Sequence, residues 1–174
     1  MVSCTDIIGP KVLAEVRRDM ERRSMPASVG RAPAHPGEAA WGKFTADEWK
    51  TFCIYHLPYT LARLWGQFKD SAVEEERRKY DMLQNFLHLV GAVKLATSPT
   101  MRPATIEAYE EEIHSYLSGL LLLYPGAQIE SYQHLAMHFG DLLKRWGPTH
   151  SWRCFAFERY NGLLQHIKTS KKFG

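Results

Sequence analysis

Three sets of side chains in the last third of the chain have the types and spacing that chemistry needs. His134 and His138 are four residues apart, so a helix sets both imidazoles on one face, which is half of many zinc sites. His150 and Cys154 repeat that spacing beyond the Gly147-Pro148 break, and they are also the residue types of a thiolate paired with a base. Glu158 stands among aromatics beside Arg159, and a carboxylate holds divalent cations when further acids meet it. Each set also has a plainer reading. A zinc ion needs more ligands than one pair supplies, and no glutamate follows His134 directly, so the zinc-protease pattern is absent. No third group orients a His150–Cys154 couple. Histidines hydrogen-bonded within a packed helix, and an exposed glutamate paired with a nearby arginine, are the commoner outcomes. On residue types alone, tight stoichiometric zinc binding is not expected.

The elements that must position these groups are helices. From Asp6 to about Arg23, apolar residues Ile8, Val12, Leu13, Val16 and Met20 recur at three- and four-residue steps opposite a basic face, the pattern of an amphipathic helix. Residues 25–44 carry Pro26, Pro33 and Pro36 with Gly30, Gly37 and Gly42. That composition cannot sustain a helix or a central strand and predicts an extended connector. Thr45 and Glu48 have capping-box spacing, and the helix they open should bend or end at Pro58. Residues 72–96, with Glu74, Glu75 and Glu76 at the favourable end, and residues from Ile106 to the Tyr124-Pro-Gly126 stop predict two long core helices. His88 on the first reads as packed or partly exposed. Lys144, Arg145 and Trp146 close a further helix before Gly147-Pro148, and Phe157, Tyr160, Leu164 and Ile167 mark a final one from Phe155. The expectation is a mainly α fold, an irregular bundle of about five to seven helices over 1–174, with the motif-bearing region at 127–174.

Composition bounds the function classes. A chain of 174 residues that is 45% hydrophobic and 12% aromatic is globular and can bury roughly two thirds of its unfolded surface. Three cysteines at long spacings make neither a disulfide framework nor a paired zinc motif and read as reduced thiols. The run 117–124 is far short of the ~20 residues that span a bilayer, and no signal-peptide pattern opens the chain. The expectation is an intracellular protein with no membrane partner. Charge is uneven: residues 141–174 hold seven Lys and Arg against two carboxylates, while 1–140 hold fifteen against seventeen. Lys144, Arg145, Arg153, Arg159, Lys168, Lys171 and Lys172 are therefore the candidate DNA contacts, although a solvated basic face is the commoner meaning of such a cluster.

The string WGPTHSWRCFAFERYNG over 146–162, preceded by QHLAMHF over 133–139, resembles the C-terminal region of fungal, basidiomycete transposases of the CACTA (En/Spm-like) group. The stretches ASVGRAP at 27–33, GKFTADEW at 42–49 and LP at 57–58 with LARLW at 61–65 are similar to proteins of the same kind, so the resemblance covers nearly the whole chain. Arg153 makes its strongest motif a variant form. Such transposases imply a ribonuclease-H-like core in which two aspartates and a glutamate hold two divalent ions for strand transfer, with a helical insertion before the glutamate. Glu158 is the position that matches the third carboxylate.

The departure from that pattern is as informative. The core aspartates belong on strands, yet residues 1–65 contain only Asp6, Asp19 and Asp47, all in helical or capping contexts. The resemblance therefore implies a fragment or remnant of a transposase, a helical protein- or DNA-contact module without activity alone and without a cofactor of its own. The alternative is the C-terminal part of a metal-dependent strand-transferase that supplies its third carboxylate, works with Mg2+ or Mn2+, and is completed by the missing catalytic part. A nuclear location follows if the parent role is retained.

Overall fold

Two long antiparallel helices form the spine. They are α4, Glu74–Ala96, and α5, Pro103–Leu123. Three acidic residues in the first turn of α4 complement the positive end of its dipole. Residues 97–102 separate the two helices, and Pro103 occupies the first turn of α5, where its missing N–H costs nothing. Cross-contacts fix the antiparallel sense. Arg78 donates to the Leu123 carbonyl at 2.9 Å, and His88 Nδ1 lies 2.7 Å from Glu112 Oε2. His88 is half-buried, in keeping with its sequence pattern, with Glu112 against its ring, and Glu110 is ion-paired to Lys144 of the later helix. The helices approach closely at Gly119, where an added methyl would overlap the buried Asn85 amide.

The computed structural model describes residues 8–26, 29, 32, 36 and 44–152, and among them every regular element is helical. Most of the 25–44 connector and all of 153–174 lie outside the described residues. Helix α1 is Pro10–Arg22, with Gly9 as N-cap, so Ile8 precedes it and is exposed instead of joining the apolar stripe. Helix α2, Ala46–Thr51, starts on the predicted capping box, with Thr45 N–H donating to Glu48 Oε2 and Glu48 N–H to Thr45 Oγ1.

The expected bend at Pro58 takes a specific form. A π turn over Phe52–His56 carries α2 into α3, Leu57–Trp65, and the Leu57 N–H reaches back to the Phe52 carbonyl. Pro58 has no N–H to return to the preceding turn, so an ordinary α register cannot hold there and the chain widens. Two short helices complete the described chain, α6, Ser131–Met137, and α7, Phe139–Trp146, followed by a 3-10 turn, Thr149–Ser151.

The spine carries two apolar clusters. One gathers Val16 of α1, Phe52, Leu57, Leu61 and Trp65, and Met82 and Leu83 from the first half of α4. The other gathers Ala92 and Ala96 from the second half of α4, Ile106, Tyr109, Ile113 and Leu117 of α5, and Leu143 of α7. No helix among the described residues is long and apolar enough to cross a membrane.

Candidate functional site

The second cluster is covered by α6, α7 and the Trp-Gly-Pro turn, the region that holds the sequence-predicted groups. Glu130 caps α6, and its N–H donates to Gln133 Oε1 at 2.9 Å. The Tyr109 hydroxyl donates to the Ala136 carbonyl at 2.6 Å, and the side chains of Tyr116 and Gln133 also hydrogen-bond, so α5 holds α6 at two points. Burial, with the Glu110 charge adding to it, pushes this phenol up to about 12. Gly140 opens α7 against Glu110, where any larger side chain would collide.

A ladder of aromatic rings then runs along the corner. Phe139 lies 5.8 Å from Tyr109 and 5.5 Å from Trp152, and Trp152 lies 5.5 Å from Trp146, spacings at which rings attract edge to face. Gly147 adopts φ 74°, a left-handed value that favours glycine, and so lets the chain reverse. Trp152 Nε1 donates back to the Gly147 carbonyl at 3.1 Å. The Thr149 hydroxyl donates to the Ala96 carbonyl, which ties this turn to the end of α4.

His134 is on α6 and His138 closes it, both exposed. The pair lies on the exposed face of its helix, with the two rings in contact. His138 is the junction at which α6 ends and α7 begins. His138 and His134 face each other through Nε2 atoms 3.4 Å apart. His150 is exposed on the 3-10 turn and does not join them: among the described residues no three His, Cys, Asp or Glu side chains gather as metal ligands do. Cys154 and Glu158 lie outside the described residues, as do Arg153, Arg159, Lys168, Lys171 and Lys172.

Of the predicted cations that are described, Arg145 is exposed. Lys144 Nζ is 2.6 Å from Glu110 Oε1 and 3.9 Å from Asp141 Oδ1. The hydrogen bond to Glu110 holds the Lys144 amine above its ordinary range.

No protein-family model, curated protein or solved structure matches the chain.

The feature that residue-by-residue chemistry missed is an apolar groove of about 610 Å3. Leu89 and Val93 of α4, Tyr109 and Ile113 of α5, and Leu135, Phe139 and Leu142 of the short helices line it. Tyr132 and Leu135 at its edge are 70% and 65% exposed, values that decide its nature, since large side chains lining a closed core do not reach solvent to that extent. The signal was present in the sequence as the steps Tyr132, Leu135, Phe139, Leu142, an apolar stripe at three- and four-residue spacing.

Proposed function

We propose that the chain is a helical module derived from a DNA transposase and that it works by contact, not by chemistry of its own. The observation that carries this reading is the apolar groove between the spine and the α6–α7 pair, with Leu135 standing exposed beside it. Exposed apolar surface around a concave site is the usual form of a protein-binding face. The sequence resemblance at 133–139 and 146–162 supplies the occupant, an apolar element of the ribonuclease-H-like catalytic part of a CACTA-type transposase. Exposed Arg145 on α7, together with the basic composition of 141–174, supports DNA as a second, electrostatic contact.

The test mixes the purified full chain with a separately expressed catalytic part of such a transposase. Binding is expected, and Leu135→Asp should weaken it by about tenfold or more, because a charge brought into an apolar contact must be desolvated. DNA affinity should fall steeply with salt. The chain alone should not nick supercoiled plasmid with magnesium or manganese, since two divalent ions require several carboxylates. Cleavage by the chain alone that Glu158→Gln abolishes would replace this reading with the alternative, a strand-transferase part that supplies the third carboxylate. Equal binding by the Leu135→Asp variant would remove the groove from the proposal.

A further inference from the structure

Two histidines four apart on a helix are always neighbours, and what they can hold depends on which atoms meet. Here the rings turn the same nitrogen toward one another: Nε2 to Nε2 is 3.4 Å, the ring centroids are 5.0 Å apart and the planes are inclined at 74°. A neutral imidazole has one N–H and one acceptor nitrogen. Two neutral rings meeting through the same atom hydrogen-bond to each other only if they take opposite tautomers. Even then, 3.4 Å is longer than the ~2.7–3.2 Å of ordinary N–H···O bonds.

A cation between them removes the mismatch. Both Nε2 lone pairs then point at one ion and both protons move to Nδ1, where solvent can accept them because both side chains are exposed. The separation also selects a geometry. Zinc–nitrogen bonds of about 2.0–2.1 Å meeting at a tetrahedral angle place the two nitrogens roughly 3.3–3.4 Å apart. The right angle of a square-planar or octahedral centre with the same bond lengths would need roughly 2.8–3.0 Å. The observed 3.4 Å is the tetrahedral edge.

We propose that His134 and His138 form a two-point zinc site on α6, each binding through Nε2, with the other two tetrahedral positions open to exchangeable ligands. No third His, Cys, Asp or Glu side chain gathers with them among the described residues. The site therefore differs from a closed four-ligand structural centre: it takes up zinc reversibly and yields it to strong chelators. His138 also lines the apolar groove, which puts the ion beside whatever enters there.

The experiment titrates zinc chloride into the full chain at neutral pH, by calorimetry and by imidazole 15N NMR. One zinc per chain is expected, with the Nε2 resonances of His134 and His138 moving together. His134→Ala or His138→Ala should each weaken binding by about tenfold or more, because the chelate becomes a single contact. His134→Gln and His138→Asn, which keep a polar side chain on this exposed face, should do the same with an unchanged far-UV circular dichroism spectrum. His150→Ala should bind zinc as the parent does. Absence of binding at millimolar zinc, movement of Nδ1 in place of Nε2, unchanged affinity in either single variant, or loss of binding in His150→Ala would each overturn the proposal.

Discussion

The two ends of the spine solve the same packing problem differently. At the α1–α3 end, apolar burial is bordered by a polar knot that runs from buried Asp19 and Thr60 out to exposed Arg63. Asp19 Oδ2 accepts from Thr60 Oγ1 at 2.8 Å and from Arg63 Nε and a terminal Arg63 nitrogen at 3.1 and 3.0 Å, and Arg63 also reaches Glu15 at 2.7 Å. Thr60 is wholly buried. A network in which each buried group finds its partner fixes the crossing of α1 on α3. At the α6–α7 end the cover is two short helices, and α6 contributes no buried residue at all. It is tied to α5 by the Tyr109 hydroxyl on the Ala136 carbonyl and by a Tyr116–Gln133 side-chain hydrogen bond, while Lys144 of α7 pairs with Glu110. One end is bordered by a polar network, and the other leaves apolar surface in contact with water. The ends differ in apolar burial rather than in the number of bonds, and a cover with few buried apolar contacts opens at least cost.

That contrast can be broken most directly by truncating one leucine at each end. Leu83→Ala, at a residue 2% exposed in the first cluster, should cost about 2–5 kcal/mol. Leu135→Ala, on the open groove, should stay within roughly 0.5 kcal/mol. Urea unfolding of both variants decides it, and comparable losses would mean that the groove is part of the core.

The polar knot gives the next largest effect. Asp19→Ala strips the buried Thr60 hydroxyl of its acceptor, and an unsatisfied buried hydroxyl costs about 1–3 kcal/mol. Thr60→Ala alone removes both the demand and the bond, so the double variant should be less than additive in a thermodynamic cycle. Additivity would show that the two groups do not act as one unit.

The ends should also differ in the direction of their pH response. His56, buried at the π turn with Nδ1 unpartnered, is held below the ordinary histidine range by burial and then by the Arg23 charge. Its contribution to stability is present above the unfolded value of ~6.5 and lost as pH falls below it, because the unfolded chain takes up the proton first. Tyr109 has the opposite sign. With its phenol pushed up to about 12, stability holds below the unfolded value of ~10 and declines as pH rises from there, since the unfolded tyrosine ionises first. Unfolding midpoints across pH should show an acid shoulder that His56→Gln removes and an alkaline one that Tyr109→Phe removes. If either shoulder persists in its variant, the assignment of that end fails.

Much of the architecture was legible because local chemistry and global packing agree there. The Thr45–Glu48 box, the acidic start of α4, and the apolar stripe Ile106, Tyr109, Ile113, Leu117 each point to the element that forms. The misreadings have physical causes. The second long helix starts at Pro103, ahead of Ile106, the first apolar residue of its stripe, because proline is favoured in a first turn. Phe139 continues the helical period across His138, so periodicity could not show that the chain breaks there. Leu87 fits the stripe of α4 yet is exposed, whereas Asn85, polar by type, is buried against Gly119, because a helix pair that close admits only a small residue opposite it. At the candidate site, four-residue spacing brought His134 and His138 together, but spacing carries no information on which nitrogens meet or whether a neighbouring helix covers them.

The π turn over Phe52–His56 bears on how this chain can change in length. Each residue of an α-helix advances the facing direction by about 100° and the axis by ~1.5 Å. The widened turn therefore takes up one residue more than an α turn while keeping the segment before it in phase with the bundle after it. Removing one residue there would close the turn to the ordinary α spacing and leave the facing of 45–51 nearly unchanged. Buried Thr51 and the edge-to-face stack of Phe44 on Trp49 would keep their places. Deletion of exposed Tyr55 should therefore be better tolerated than deletion of one residue from the middle of α4, where no widened turn absorbs the loss and every upstream side chain is carried round by about 100°.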